Sequence, residues 1–545
     1  MERPWLEHYP PGVPADIDPR THSSLASLIA DCVVRWRGKD AFANRGTRMS
    51  YERFDELSLA FAAFLHGRLG LRKGDRIAIM LPNVLQYPVA MYGALRAGLV
   101  VVNVNPLYSP RELRHQMDDA EASAILILAD VSRTLGEVLE GSTLRHVVVT
   151  QSGDLLEAGP PDCAVDPRLR GCIAFRDALR EGATLELPRI DLTRDDLAYL
   201  QYTGGTTGLS KGAMLTHGNM VANALQMLAI FLPRCVPGNE IYVTALPLYH
   251  VFALTVNCIG CLHLGGLNVL ITNPRDMPGF VQELGRWRFT FISGVNTLFN
   301  GLLHTPGFGN LDFSALRITL SGGMALQSSV AKRWHEVTGV PALEGYGLSE
   351  TAPCLTCNPM TATEYSGTIG LPLPSTDIRI RDDAGNDLPP DMPGELCARG
   401  PQVMAGYWRK PEETRAVMTP DGYFRTGDIA TMDAHGFVRI VDRKKDMIIV
   451  SGFNVYPNEV EDVVAAMDGV LECACIGVPD ERCGEVVMLF VVPKPGAAPG
   501  AQRIRDDCRG KLAPYKIPQR VEFIDAIPKT TVGKLLRREL RNRVK

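Results

Sequence analysis

The run Leu197-Ala198-Tyr199-Leu200-Gln201-Tyr202 passes directly into Thr203-Gly204-Gly205-Thr206-Thr207-Gly208-Leu209-Ser210-Lys211-Gly212. The first part reads as a buried strand. In the second, four glycines let the backbone approach a ligand and take positive φ. Three threonines and a serine supply hydroxyls, successive N–H groups form an anion nest, and Lys211 adds a point charge suited to phosphate. A Walker A loop needs GxxxxGK[ST]. Here Lys211 lies three residues after Gly208 and Gly212 follows it, so the P-loop reading fails. A plain surface turn is the bland alternative, but turns seldom combine so many glycines, hydroxyls and a lysine.

The pattern on either side is α/β. Residues 24 to 70 read as an amphipathic helix, a short strand and a helix. DRIAIMLPN (75–83) is a buried strand ending in a turn; the next twenty residues give a helix, a stop at Gly98 and a strand ending at Pro106. ASAILILAD and RHVVVT are further β-branched runs. Residues 151 to 190 are polar and weakly patterned, and read as a connector. The alternation resumes at Leu197 and continues to Ser321, which implies parallel sheets covered by helices. From 368 to 441 the short runs DIRIRDD, GELCARG and GFVRIVD suggest a small β-rich subdomain. The charged run Asp442-Arg443-Lys444-Lys445-Asp446 then separates residues 1–441 from a compact α+β unit over 447–545. The expected architecture is therefore a large N-terminal domain of stacked mixed sheets and helices, a solvated linker over 442–446, and a small α+β C-terminal domain.

Composition narrows the class. At 545 residues the chain exceeds what one core supports. Its 57 basic and 61 acidic residues, net −4, carry none of the basic excess of a nucleic-acid binder. Thirteen scattered cysteines fit free thiols in a reducing cytoplasm, not a disulfide scaffold. The CxxC pairs Cys258/Cys261 and Cys354/Cys357 are read as chance spacing. The N-terminus lacks the basic and apolar regions of a signal peptide. Residues 241 to 274 contain no Asp, Glu, Lys or Arg, long enough to imitate a membrane span. Pro247, His250, Asn257, His263, Asn268 and Gly265-Gly266 argue instead for a buried helix followed by a buried strand.

Four further motifs join the loop: Ser321-Gly322-Gly323 after the strand LRITL, Glu344-Gly345-Tyr346-Gly347-Leu348-Ser349-Glu350-Thr351, Tyr423-Phe424-Arg425-Thr426-Gly427-Asp428, and Lys529-Thr530-Thr531-Val532-Gly533-Lys534-Leu535. With them the chain resembles, nearly end to end, the adenylate-forming superfamily of acyl-CoA synthetases, peptide-synthetase adenylation domains and luciferases. Within it the match is to bacterial long-chain fatty acid–CoA ligases. Met324-Ala325 departs from the proline that many members carry after the glycine pair.

The resemblance implies roles, residue by residue. Thr203, Gly204, Gly205, Thr206, Thr207, Gly208 and Lys211 handle the phosphates of ATP. Gly322 and Gly323 line the adenine pocket; Glu344, Gly345 and Gly347 belong to the core motif that binds the nucleotide, and its Tyr346 stacks on the base. Glu350 binds Mg²⁺ with Thr206, and Thr351 touches the α-phosphate. Asp428 accepts from the ribose hydroxyls and Arg443 contacts the nucleotide. Lys534 stabilises the charge that builds as a carboxylate attacks phosphorus. Lys445 is the pivot, and Ser451-Gly452 lines the coenzyme A tunnel after the small domain rotates. His250 matches the residue near the substrate carboxylate, with a buried core histidine as the even alternative.

The uncharged run bears on the substrate. A buried ammonium needs a carboxylate partner, and none lies between Ile241 and Pro274. An apolar acyl tail needs none. Val251, Phe252, Leu254, Val295, Leu298 and Phe299 are candidate walls. The expected reaction is fatty acid, ATP and CoA to acyl-CoA, AMP and pyrophosphate. The alternatives are a medium-chain or aryl-acid CoA ligase, a peptide-synthetase module, disfavoured because no carrier domain follows Lys534, and a non-catalytic binder, disfavoured because Lys534, Glu350 and Lys211 are all present. The resemblance also implies loose contact with the inner face of a membrane. Acyl chain length and homodimer formation stay open.

Overall fold

The computed structural model describes residues 3–203, 210–480, 482–530 and 535–544. Among the described residues the strands form four sheets. The larger of the two main sheets runs Leu371–Pro372, Cys354–Cys357, Ala342–Gly347, Ile318–Ser321, Phe291–Gly294, Ile241–Thr244, Leu267–Leu270, Asp40–Asn44 and Thr47–Ser50. Its centre is parallel and its ends are antiparallel. The other runs Ile173–Ala174, His146–Thr150, Ala124–Leu128, Arg76–Met80, Val100–Asn103, Leu197–Tyr202 and Gly212–Thr216, parallel except for the last pairing.

Parallel sheets must be covered on both faces, and alternate residues along these strands show it. Ile77, Ile79 and Val101 share one apolar cluster with Phe54, Phe61, Tyr92 and Leu95 of the helices Tyr51–Ala63 and Gln86–Arg96. Val243 and Val269 of the larger sheet belong to the same cluster. Ala78, Met80 and Val102 face the other way, onto Leu113 and Met117. In the larger sheet Tyr242, Phe291, Ile318 and Leu320 pack with Met227 and Phe231. Helix starts follow local chemistry. Ser24 and Thr216 each close a capping box, and Ser50 accepts from Arg53 N.

The uncharged run folds as strand Ile241–Thr244, a π-helical segment Ala253–Ile259 continuing as α-helix to Leu264, and strand Leu267–Leu270. No described helix is long and apolar enough to cross a membrane.

The connector reading of 151 to 190 needs correction. Ile173–Ala174 adds an edge strand to the smaller sheet, and Phe175–Gly182 is a helix. Its buried positions Phe175, Ala178, Leu179 and Gly182 have helical spacing. Two of the four are small, so the apolar signal is faint; Gly182 is small because a Cβ there would lie 1.9 Å from Ala60 O.

Asp377–Arg381, Gly394–Arg399, Phe424–Met432 and Val438–Arg443 make a four-stranded antiparallel sheet. Phe424–Met432 was not among the anticipated strands, since polar residues and Gly427 interrupt it. The fourth sheet joins Phe453–Val455, Ile448–Val450, Gly484–Pro493 and Val470–Asp480, with Arg520–Phe523 alongside, and has its own core around Val464, Cys475 and Leu489.

Trp334 backs the strand that ends in Gly322-Gly323. It is fully buried, packs edge-on against Phe299 at 4.7 Å and donates from Nε1 to Thr319 Oγ1 at 3.1 Å. Trp334→Ala should cost about 3–5 kcal/mol, read as a lowered melting temperature at unchanged oligomeric state.

Candidate active site

Three of the motif-bearing turns leave the carboxyl ends of strands, the place where open α/β sheets bind ligands. Leu197–Tyr202 ends at the glycine-rich loop, Ile318–Ser321 at Gly322-Gly323, and Ala342–Gly347 just before Glu350. Gly204, Gly205, Thr206, Thr207 and Gly208 lie outside the described residues. At the flanks of the loop, Thr203 N donates to Lys211 O at 2.9 Å. Two glycines here are demanded by space. A Cβ on Gly322 would sit 3.0 Å from the Phe252 ring and 3.1 Å from Gly345 O; one on Gly347 would sit 1.9 Å from Pro353 O.

Asp428 and Arg443 face each other across the antiparallel pair Phe424–Met432 and Val438–Arg443, which accounts for their fifteen-residue separation. Arg443 Nε lies 3.6 Å from Asp428 Oδ1, and Tyr346 OH donates to Asp428 Oδ2 at 2.5 Å. Burial raises the Asp428 carboxyl above its usual range, and Arg443 and the Tyr346 hydroxyl oppose that. Three residues from separate motifs thus meet at one acidic, partly exposed corner.

Glu350 forms a second group. Its Oε1 accepts from Tyr407 OH at 2.7 Å, and Met404 N donates to its backbone oxygen at 2.8 Å. The Lys211 ammonium lies over the Tyr407 ring, 5.1 Å from its centroid, and pairs with Glu413. Desolvation lifts the Glu350 carboxyl, and the Tyr407 hydroxyl holds it down. An open cavity of about 390 Å³ lies beside it, lined among others by Glu350, Tyr407, Phe424, Thr426, Gly427 and Lys444. For Mg²⁺ the donor set fits. One carboxylate suits an ion that takes its other ligands from water and phosphate. No group of three His, Cys, Asp or Glu gathers among the described residues, so those residues offer no closed cage. Thr351 is fully buried, and its hydroxyl donates to the backbone oxygens of Leu348 (3.2 Å) and Pro353.

Glu344 is buried. Leu326 N donates to its Oε1 at 3.0 Å, so it ties down the segment that follows Gly322-Gly323. His250 is half-buried. Phe252 N donates to its Nδ1 at 3.3 Å, which leaves the ring proton on Nε2. Desolvation pushes its pKa down to about 4, so it is a neutral donor through the physiological range. Phe252 touches Gly322 as described, and Val295 Cγ1 would lie 3.8 Å from a Cβ on Gly323. Val251, Leu254, Leu298 and Phe299 are buried around them. Glu240, the acid just before the uncharged run, is paired with Arg317 and Thr290.

Ser451 and Gly452 are exposed on the small sheet, beside Phe453, whose ring stacks on Tyr515 at 4.8 Å. Lys445 is exposed in the turn after Val438–Arg443. Lys534 lies outside the described residues. Sequence reasoning missed Tyr407, Glu395, Arg425 and Lys444. Glu395 Oε2 accepts from Arg425 at 2.7 Å and Lys444 at 3.3 Å. The aromatic pair after Gly406 was visible in sequence, but only the pairing of Met404–Trp408 with the strand Gly212–Thr216 brings Tyr407 to Glu350.

A mixed-sheet fold with nucleotide-type turns at its strand ends, followed by a small α+β unit, defines a class, and sequence comparison agrees with it. Residues 29–408 match the AMP-binding enzyme family and residues 459–534 the AMP-binding enzyme C-terminal domain, so the chain belongs to the AMP-binding enzyme family. It is 52% identical to a long-chain-fatty-acid–CoA ligase of Yersinia pestis, covering 99% of this chain and 98% of that one. It is 37% identical over the same shares to a long-chain-fatty-acid–CoA ligase of Bacillus subtilis. Among solved structures it superposes on ATP-bound MatB from Rhodopseudomonas palustris with a TM-score of 0.82, at 30% identity, covering 95% of this chain and 99% of that one.

Burial raises the Glu344 carboxyl from its usual 4.5 to about 7. Between those values the folded chain keeps a proton that the unfolded chain releases, so stability falls as pH rises from 4.5 to 7. Glu344→Gln should therefore melt above wild type at pH 8, and the gap should close as pH falls below 4.5. A gap that does not move with pH would contradict this.

Proposed function

We propose that this chain is a long-chain fatty acid–CoA ligase. Fatty acid and ATP react to acyl-adenylate and pyrophosphate; CoA then displaces AMP to leave acyl-CoA. The observation that carries the reading is that the uncharged wall of Phe252 and Val295 abuts the Gly322-Gly323 turn. An acyl tail lying on that wall would bring its carboxylate to the nucleotide. The long-chain ligases among its relatives support the same substrate class.

In the first step a carboxylate oxygen attacks the α-phosphorus and the bond to the pyrophosphate oxygen breaks. His250, neutral with its proton on Nε2, can donate to the carboxylate without holding it as a salt. Asp428 accepts from the ribose hydroxyls, Tyr346 covers the base, and Arg443 balances Asp428. Thr203, Lys211 and the loop between them receive the phosphates. Glu350 with Thr206 would hold Mg²⁺, which neutralises charge on the leaving pyrophosphate. Lys534 stabilises the charge building at the reacting oxygens. In the second step the CoA thiolate attacks the acyl carbonyl and AMP leaves. Residues 1–441 and 447–545 act as two domains, turning about Lys445 to exchange Lys534 for the Ser451-Gly452 loop. Contact with a membrane surface belongs to the reading, because long-chain fatty acid is held there.

The test is pyrophosphate release with Mg-ATP across acids from short to long, with benzoate, cinnamate and amino acids included. Release rising with aliphatic chain length is expected; a response only to aryl or amino acids would overturn the substrate class. Lys534→Ala should cut pyrophosphate release by about 10²-fold or more and leave thiol transfer from supplied acyl-adenylate within a fewfold. Normal release by this variant would remove Lys534 from the first step.

A further inference from the structure

The segment proposed as the hinge is spanned by a buried polar network to which none of the roles above is attached. Asp442 lies on the large-domain side and is fully buried. Its Oδ2 accepts from Asn458 N at 2.9 Å, in the first turn of the helix Pro457–Ala465 on the small-domain side. Its Oδ1 accepts from Arg443 N at 2.7 Å. Asn458 Nδ2 reaches back to Val441 O at 3.4 Å. Behind Asn458 stands Arg537, nearly buried and three residues beyond Lys534. Arg537 Nη2 donates to Asn458 Oδ1 at 3.1 Å and to Glu461 at 2.8 Å, and Nε to Cys475 O at 3.2 Å. Asp446, the far end of the hinge, pairs with Arg541 at 2.9 Å and faces Arg537 at 3.7 Å.

These contacts divide into two kinds. The bonds of Arg537 and Arg541 to Asp446, Glu461 and Cys475 join groups on the small-domain side, and travel with it. The bonds from Asn458 to Asp442 and Val441 cross the pivot. Turning the backbone at 443–446 moves one partner of each and leaves the other behind. A buried carboxylate is costly unless donors and opposite charge surround it. Here they come from the helix N-terminus, where N–H groups lack intrahelical partners and the dipole is positive, and from Arg537 behind it. In any other orientation Asp442 loses that helix and must find water.

We infer that Asp442 is a positioning residue: its bond to Asn458, backed by Arg537, latches the small domain in one of the two orientations the reaction needs and opens in the other. The inference rests on the two-domain ligase reading above. Two measurements on Asp442→Ala and Asp442→Asn test it. The first is the rate of tryptic cleavage at Arg443-Lys444-Lys445, which does not depend on activity. The second is the pair of half-reactions, pyrophosphate release and thiol transfer from supplied acyl-adenylate. Asp442→Ala should be cut about tenfold faster, the size expected for losing a charge-assisted hydrogen bond. It should change one half-reaction at least fivefold and leave the other within twofold. Asp442→Asn keeps an acceptor and should fall between it and wild type; it serves alone if the alanine variant does not fold. Unchanged cleavage, or both half-reactions falling by the same factor, would overturn the latch. If wild type releases no pyrophosphate with any fatty acid, the ligase reading fails and cleavage alone judges the latch.

Discussion

A parallel sheet covered on both faces has no side on which polar chemistry can sit; only its strand ends are free. That constraint organises this molecule. Val243, Ile292 and Leu320 spend their side chains on packing, while the residues just past the strands turn outward as Gly322-Gly323, Gly345 to Glu350 and the loop after Tyr202. Two sheets contribute to one site because the helices Tyr51–Ala63 and Gln86–Arg96 share a core with both. The segment Met404–Trp408 then stitches the strand Gly212–Thr216 of one sheet to Glu350 at the end of the other.

Buried acids are the second theme, and each is answered differently. Asp428 has Arg443 opposite it and a tyrosine hydroxyl on its free oxygen. Glu350 has the Tyr407 hydroxyl on one oxygen, with Lys211 held over the ring beyond. Glu344 has a backbone N–H, and burial lifts its carboxyl to about 7. A site with under-neutralised carboxylates can receive cationic charge, and a nucleotide arriving with a divalent ion supplies it. The apolar wall shows the converse. Phe252 and Val295 carry no charge, and no Asp, Glu, Lys or Arg stands between Ile241 and Pro274.

The small C-terminal sheet has a separate core. Among the described residues, Asp442 to Asn458 and Ser328 to Asp462 link the two parts of the chain. Hydrogen bonds of this kind can break without disturbing either core, whereas an apolar interface would resist.

The sequence alone carries the alternation of strands and helices, the buried character of the uncharged run, and the short motifs proposed to carry chemistry. It does so because periodicity, capping and glycine demand are local: Gly347 has to lack a side chain wherever the chain goes. Residues 173–182 escaped because an edge strand of two residues and a helix face built partly from Ala178 and Gly182 leave little apolar signal. The spacing of Asp428 and Arg443 was legible as a number, but only the hairpin makes them partners. Only the folded chain shows that Tyr407 reaches Glu350, that Glu344 serves the segment after the glycine pair, that burial lowers the His250 pKa, and that Asp442 meets the helix Pro457–Ala465. Each depends on distance through space between segments far apart in the chain, and on the loss of water that packing imposes, neither of which a local pattern encodes.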